Sequence, residues 1–147
     1  MKLSTKVRYG TRAMIDLALN YKDSPVLLKD IARRQEISVK YLERIFTALK
    51  NAGLVKSLRG AKGGFVLNIS PSRIVLDQIV EAIDGPINLV ECTRDKNVCK
   101  RVKYCAARDI WYELTEVIKE NLKAITLEDL VKKEKEKKKL SSSMYHI

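Results

Sequence analysis

The chain has 147 residues, three cysteines and a formal net charge of +11. This length fits one core, or a small domain with an appended helix. No secretory signal and no uncharged apolar run of membrane-spanning length is recognisable, so we expect a cytoplasmic protein. Thiols stay reduced in that compartment, and the cysteines are therefore expected to be metal or redox ligands rather than disulfides.

The positive charge is concentrated in the first half of the chain. Residues 1–64 carry 14 Lys and Arg against 5 Asp and Glu, a balance of +9, whereas residues 65–147 carry 15 against 13, a balance of +2. A local excess of this kind favours a polyanionic partner, of which nucleic acid is the commonest. A basic surface that serves only solubility would have the same charge, so charge alone does not decide.

The first predicted helix begins among cations. Ser4 can cap a helix that runs to about Tyr21. Lys6 and Arg8 lie in its first turns, where backbone N–H groups and cations together suit a phosphate. For either residue alone, a solvated basic helix end is an equally good interpretation.

Two further short helices with a tight turn between them predict a helix-turn-helix. The second helix follows Pro25, and the third is capped by Ser38 and ends before Gly53. In this motif the second of the paired helices enters the major groove of DNA. The side chains expected to contact DNA from it are Ser38, Lys40, Tyr41, Glu43 and Arg44. The Tyr41 ring is equally suited to packing.

A glycine-rich turn between two short apolar segments predicts a β-hairpin wing. The segments are 54–58 and 65–69, and the residues of the turn expected to contact DNA are Arg59, Gly60, Lys62 and Gly63. An arginine at such a tip suits a narrow minor groove. A nucleotide-binding phosphate loop is excluded, because the turn lacks the Walker lysine pair and does not lead from a strand into a helix.

The second half is predicted to be helical. A fourth helix ends at Gly85, and a long helix spans about Ala106 to Ala124. The apolar stripe of the long helix is wider than one small domain needs, which predicts a dimer interface formed by Ile110, Trp111, Leu114, Val117 and Ile118. A capping-box-like restart begins at Thr126, and the charge run 132–139 is expected to be solvated or a frayed helix.

These elements predict a mainly α fold with a small β-hairpin wing, an α+β winged helix-turn-helix with a long dimerisation helix. The expected divisions are a DNA-binding domain over 1–86, a sensor loop over 87–105, a dimerisation helix with a docking turn over 106–131 and a charged tail over 132–147. No histidine or carboxylate pair is placed beside a nucleophile, so we do not expect an enzyme.

All three cysteines lie within fourteen residues, in the segment 92–105, which we call the cysteine stretch. Three interpretations of Cys92, Cys99 and Cys105 compete: an iron–sulfur cluster, direct thiol sensing through oxidation, and a zinc or structural site. The stretch has almost no apolar residues, so it is not expected to fold well without something to fold around, which favours a bound metal.

Several motifs together resemble one family of regulators. They are the opening 1–10, the segment from Ile31-Ala32 to Glu43, Gly53-Leu54-Val55, the wing 59–65, Ile83–Pro86, the three cysteines, Trp111 and 126–130. In these the chain resembles the Rrf2 family of winged-helix transcription regulators, and within it the IscR-like iron–sulfur branch.

The resemblance implies a homodimeric regulator, expected to be a repressor, that binds a pseudo-palindromic operator in double-stranded DNA. It also implies that Cys92, Cys99 and Cys105 hold a 2Fe–2S cluster, or alternatively a 4Fe–4S cluster. A cluster-free branch of the family regulates cysteine metabolism and implies control by thiol oxidation or by a metabolic enzyme. Operator, target genes and the sign of regulation are open.

Two positions depart from the family patterns. Arg108 stands where the IscR-like pattern has a histidine, and a guanidinium has no free lone pair with which to ligate iron. Arg8 stands where the nitric-oxide-sensing branch is thought to use an aspartate. The candidates for a remaining ligand are Glu91, Asp95, Asp109, His146 and an exogenous thiol or water.

Overall fold

The computed structural model describes residues 2–145, in which seven α-helices, one β-hairpin and two 3-10 turns follow one another. In chain order they are α1 (Thr5–Asn20), α2 (Leu28–Gln35), α3 (Val39–Asn51), β1 (Val55–Leu58), β2 (Gly64–Leu67), a 3-10 turn (Pro71–Arg73), α4 (Leu76–Asp84), α5 (Glu91–Arg94), a 3-10 turn (Val102–Tyr104), α6 (Ala106–Ala124) and α7 (Leu127–Tyr145). This is the mainly helical, winged architecture that the sequence predicts. Within the described residues, no helix is long and apolar enough to cross a membrane.

Serine caps fix where the first and third helices begin. The Ser4 hydroxyl oxygen accepts the N–H of Val7 at 3.1 Å, and the Ser38 hydroxyl oxygen accepts the N–H of Tyr41 at 3.1 Å. Each bond satisfies a backbone donor that the helix itself leaves without a partner. Both predicted helix starts are thus confirmed.

A residue with a left-handed backbone conformation makes the turn between α2 and α3. Glu36 has φ 56°, the one positive φ of a non-glycine residue among those described. The next residue, Ile37, is buried and donates its N–H to the Ala32 carbonyl at 3.0 Å. This turn sets the direction in which α3 leaves α2.

The core lies among α1, α2, α3 and α4, and it includes a residue from far along the chain. Leu17, Leu42 and Phe46 are fully buried, and so is Leu127 at the start of α7. The junction between α6 and α7 is fastened there by two 2.8 Å hydrogen bonds, Leu76 N–H to the Ile125 carbonyl and Leu127 N–H to the Ile74 carbonyl. The second half of the chain therefore completes the core of the first.

The hairpin is held against the body by a third backbone segment. β1 and β2 pair antiparallel, with Val55 opposite Leu67. Val26 pairs with Phe65 through two bonds, Val26 N–H to the Phe65 carbonyl at 2.9 Å and the reverse at 2.8 Å. A Cβ on Gly64 would lie 2.6 Å from the Val26 carbonyl oxygen, so this close approach requires glycine.

A buried ion pair joins α1 to α2. Asp16 is 4% exposed, and Arg34 donates to its carboxylate through Nη2 at 2.7 Å and Nε at 3.1 Å. Gln35 Nε2 donates to the same carboxylate at 2.8 Å. The hydrogen bond to Asp16 raises the pKa of Arg34 above its ordinary range, although partial burial opposes this. Asp16 is therefore a structural residue that ties α1 to the helix-turn-helix.

The charged tail is helical, not frayed. α7 runs without interruption from Leu127 to Tyr145 and packs against α1. Its start is the predicted capping box, since Asp129 accepts the N–H of Thr126 at 2.9 Å and returns its own N–H to the Thr126 hydroxyl at 3.0 Å. These bonds to Thr126 lower the pKa of Asp129.

Candidate DNA interface and cysteine site

α3 has one buried face and one exposed polar face. Leu42, Ile45 and Leu49 are fully buried, and the exposed face carries the predicted residues Ser38, Lys40, Glu43 and Arg44. An arginine there can bond guanine through two donors, and a carboxylate can accept from the cytosine amino group. Because the buried face is fixed, the exposed side chains have a defined direction.

The Tyr41 ring packs against α1 beside this exposed face. It is half-buried, and its ring meets the edge of Tyr9 at a centroid distance of 5.8 Å and an angle of 81°. The Arg12 guanidinium lies 5.3 Å from the Tyr9 ring centroid and donates to the Gln35 carbonyl. The structure thus gives Tyr41 a packing role. The sequence does not show that Tyr9 and Arg12 lie beside Tyr41, although an aromatic near a cation on α1 is a weak signal.

The wing tip presents its cations to solvent. Arg59 and Lys62 are exposed, and Gly60 has φ 104° and accepts the Gly63 N–H at 2.9 Å. A Cβ on Gly63 would lie 2.4 Å from the Leu58 carbonyl oxygen. The two glycines are therefore required by the turn itself, and the arginine and lysine are the side chains free to meet a partner.

The two cations of α1 are exposed near a groove. Lys6 and Arg8 both face solvent, and Arg8 donates from Nη2 to the Thr5 hydroxyl at 3.1 Å. Arg8 also lines a groove of about 370 Å³ together with apolar residues of α4 and α6, among them Val80 and Leu122. Arg8 is thus oriented partly toward the long helix.

α6 presents an uncovered apolar stripe. The exposed fractions are 51% for Ile110, 42% for Trp111, 44% for Leu114 and 53% for Val117, whereas Ile118 is half-buried toward α4. Connected apolar patches on soluble proteins are typical of interaction sites. Four of the five predicted dimer residues are exposed, and their role in an interface stays a prediction.

Thr115 fixes α6 to the chain before the cysteine stretch. It is 3% exposed, its hydroxyl donates to the Trp111 carbonyl at 2.7 Å, and its oxygen accepts the Leu89 N–H at 3.4 Å. The sequence does not reveal this role, because a threonine in a helix with an apolar stripe has no distinctive pattern.

The three thiols lie in one region without converging. Cys92 is on α5, Cys99 is exposed between the short helical turns, and Cys105 directly precedes α6. Within residues 2–145 no three His, Cys, Asp or Glu side chains are grouped so as to hold a metal ion. His146, one candidate ligand, lies outside the described residues.

Hydrogen bonds give the cysteine stretch its conformation. The Thr93 hydroxyl donates to the Val90 carbonyl at 2.7 Å, and Asp95 accepts the Asn97 N–H at 2.9 Å. Arg108 of α6 donates from Nε to the Cys92 carbonyl at 2.9 Å. The first two bonds shape the stretch locally, and the Arg108 bond ties it to α6.

Cations surround Cys99. It lines an open cleft of about 570 Å³ with Lys96, Lys100, Lys103 and the largely buried Arg108. The thiolate is the form of a cysteine that ligates metals and reacts with oxidants. The chemistry of three thiolates suits an iron–sulfur cluster, but Arg108 supplies no fourth ligand.

Residues 3–133 match the family model of Rrf2, described as an iron-dependent transcriptional regulator. The chain belongs to the Rrf2 family. The regulators it resembles are not enzymes, in agreement with the prediction from sequence.

Known members resemble the chain along most of its length. The HTH-type transcriptional regulator CymR of Bacillus subtilis (strain 168) is 43% identical over 130 residues, which cover 88% of this chain and 89% of that protein. The HTH-type transcriptional regulator IscR of Xenorhabdus nematophila is 39% identical over 132 residues, covering 90% and 80%. The solved structure of CymR, the global cysteine regulator of B. subtilis, superposes with a TM-score of 0.74 at 41% identity, covering 90% and 97%.

Proposed function

We propose that this Rrf2 chain is a dimeric, sequence-specific repressor that senses iron–sulfur or redox status through its cysteine stretch. The observation that carries the DNA-binding part is α3, whose apolar face is fully buried while its polar face is exposed beside a cationic wing. A side chain reads bases only when its backbone is held in place.

Within this proposal α3 and the wing contact different grooves of the DNA. Lys40, Glu43 and Arg44 read base edges in the major groove, and Ser38 donates to a phosphate or base while its oxygen caps the helix. Arg59 enters the minor groove at the wing, and Lys62 contacts a phosphate. Lys6 and Arg8 add phosphate contacts from the start of α1.

Dimerisation joins two such units across α6. The exposed stripe of Ile110, Leu114 and Val117 recurs at spacings of four and three residues, so it forms one line along the helix. Burying it against a second copy removes apolar surface from water, and two-fold symmetry then presents two α3 helices to a pseudo-palindromic operator.

The cysteine stretch is placed where it can influence this dimer. Cys105 is the residue before α6, and Arg108 connects α6 to the carbonyl of Cys92. A chemical change at the thiols therefore acts on the start of the dimer helix. An order–disorder change there that is coupled to DNA affinity by about 1–3 kcal/mol suffices for a sensor.

An iron–sulfur cluster would be held by Cys92, Cys99 and Cys105. When bound, it would supply redox chemistry that depends on the iron supply. The lysines of the Cys99 cleft would offset the negative charge of the thiolates. The cysteine stretch would have to close to bring the thiols together, because they do not converge in the described chain.

A second candidate function is cluster-free regulation of sulfur metabolism. The separation of the thiols favours it, and so does the similarity to CymR, the global cysteine regulator of B. subtilis. In this form the exposed Cys99 is oxidised directly, or a metabolic enzyme binds the regulator and controls it.

One experiment separates the two candidates. The protein is purified without oxygen, analysed for iron and sulfide, and tested for DNA binding beside a variant with all three cysteines replaced by serine. Bound iron and sulfide, with DNA affinity that changes when they are lost, support the cluster. A colourless, iron-free protein whose DNA affinity responds to peroxide through Cys99 supports thiol sensing instead.

A further inference from the structure

The second half of α7 extends beyond the family match. The match ends at residue 133, whereas α7 continues to Tyr145. The segment 132–139, which we call the lysine arm, holds six lysines and two glutamates and has a net charge of +4. The arm is thus a helical feature that the shared Rrf2 fold does not account for.

The lysines of the arm face solvent and repel one another. All six are exposed, whereas Glu134 is half-buried, so Glu136 is the only exposed carboxylate among them. Within residues 2–145 none of the six forms an ion pair. Like charges one turn apart destabilise a helix, so a bound polyanion would stabilise the arm.

The arm lies beside the helix-turn-helix. Glu134 and Lys138 line a cleft of about 620 Å³ together with Asp16, Arg34 and Gln35 at the ends of α1 and α2. Gln35 is three residues before Ser38, the cap of α3. The residues at the start of such a recognition helix are those that contact bases. The arm therefore borders the end of the protein that we assign to DNA.

The acidic residue that α1 contributes to this cleft, Asp16, does not pair with a lysine of the arm. The Asp16 carboxylate is buried and already bonded by Arg34 and Gln35. Lys138 shares the cleft without pairing to it. The positive charge of the arm is thus directed at a partner outside the chain.

We propose that the lysine arm binds DNA phosphates and contributes affinity that does not depend on sequence. This inference rests on the proposed function and adds a second contact to it. α3 and the wing select the site, while the arm increases attraction to any duplex by releasing counterions.

The test neutralises the arm and leaves its length unchanged. The full chain is compared with the variant Lys135→Gln, Lys137→Gln, Lys138→Gln, Lys139→Gln, because glutamine has a helix propensity similar to that of lysine. The matched control replaces the same four lysines by arginine, which keeps the charge. The probes are a duplex selected by the full chain from a random pool and the same duplex with a scrambled sequence. Binding is measured by fluorescence anisotropy over a range of salt concentrations.

For the glutamine variant we expect binding to depend less on salt, by the same amount for both duplexes. If two lysines of each subunit contact phosphates, the slope of log affinity against log salt becomes shallower by about 3–4 for the dimer. At low salt, affinity falls by about 10-fold or more on selected and scrambled DNA alike, and the arginine control retains the parent slope. Circular dichroism checks that the variant keeps its helix content.

Two results would overturn the inference. In the first, the glutamine variant has the same slope of log affinity against log salt as the parent chain. If the parent chain still prefers its selected duplex, the proposed function stands and only the role of the arm is wrong. In the other, only the selected duplex loses affinity, which would make the arm a reader of bases. Failure of the proposed function looks different, because the pool then yields no preferred duplex for the parent chain.

Discussion

The winged-helix unit, residues 5–84, and the cysteine stretch, residues 92–105, are built in opposite ways. The first contains nearly all the buried apolar side chains, and its buried carboxylate is fully bonded. The second contains no buried residue at all and is shaped by a few hydrogen bonds. Regions with little burial open at low free-energy cost. A DNA-reading surface needs a fixed geometry and a sensor needs a changeable one, and our proposal assigns the two tasks to these two regions.

The largest expected effect comes from truncating one apolar side chain in each region. Phe46 is fully buried and meets the Phe65 ring at a centroid distance of 4.8 Å, so Phe46→Ala should lower the free energy of unfolding by about 3–5 kcal/mol. Val98→Ala, at a residue that is 52% exposed, should change it by less than about 0.5 kcal/mol. Urea denaturation measures both. Equal losses would mean that the cysteine stretch is packed as firmly as the core.

Removing a buried charge should have the next largest effect. Asp16→Asn leaves Arg34 without its anionic partner, and we expect a loss of about 2–3 kcal/mol, because Arg34 is partly exposed and can be hydrated. Asp95→Asn in the cysteine stretch is the matched control and should be nearly neutral, since Asp95 is exposed. Thermal unfolding monitored by circular dichroism compares them. A neutral Asp16→Asn variant would contradict a structural role for the ion pair.

Base reading should depend on one region only. Arg44→Ala should cost about 1–3 kcal/mol in discrimination between the selected and the scrambled duplex, because a bidentate contact to a base is lost. Arg101→Ala, an exposed arginine of the cysteine stretch, should leave that discrimination unchanged. Competition binding at fixed salt measures both. Equal weakening on every duplex by Arg44→Ala would demote that residue to a phosphate contact.

Restoring the missing ligand type tests the sensor. Arg108→His places an imidazole next to the Cys92 carbonyl, where the guanidinium now donates. If the chain holds an iron–sulfur cluster, the ratio of iron to protein after anaerobic purification should rise, because iron gains a fourth ligand. Arg108→Gln is the control, since it removes the charge without adding a strong ligand. Iron contents that are the same in all three proteins would weigh against the cluster.

The smallest expected effect is a pH dependence at the start of α7. Hydrogen bonds from Thr126 lower the pKa of Asp129 from its ordinary 3.8, so its carboxylate stabilises the folded chain above that value. This contribution is lost as pH falls through the lowered pKa. Asp129→Asn should therefore melt slightly below the parent chain near neutral pH, and the two melting temperatures should approach each other in acid. A difference that grows toward low pH would contradict this sign.

Much of the winged-helix unit was predictable because its signals are local. The serine caps, the buried stripe of α3 and the glycines of the wing each determine the structure of residues only a few positions away in the sequence. The start of α6 at Ala106 and the capping box at Thr126 were found in the same way. The lysine arm is solvated, as the charge run indicates, but its continuous helix was not predictable, because a charge run does not show how far a helix that docks at Leu127 continues.

The residues of the candidate site could be predicted from the sequence, but the contacts between them could not. The sequence indicated the exposed residues of α3 and the wing, and it identified the three cysteines. It did not show that the Tyr41 ring rests on Tyr9, or that Arg108 bonds the Cys92 carbonyl. A side chain on a helix can face solvent or a neighbouring helix, and only the neighbour's position decides which.

The sequence by itself determined the order of the elements, the helix ends, the basic first half and the three thiols. The tertiary structure decided which distant segments meet: Val26 on the wing, Leu127 in the core, Asp16 with Arg34, and the lysine arm beside the ends of α1 and α2. The reason is physical. Periodicity and capping are properties of neighbours along the chain, whereas burial and ion pairing depend on packing between residues that the sequence places far apart.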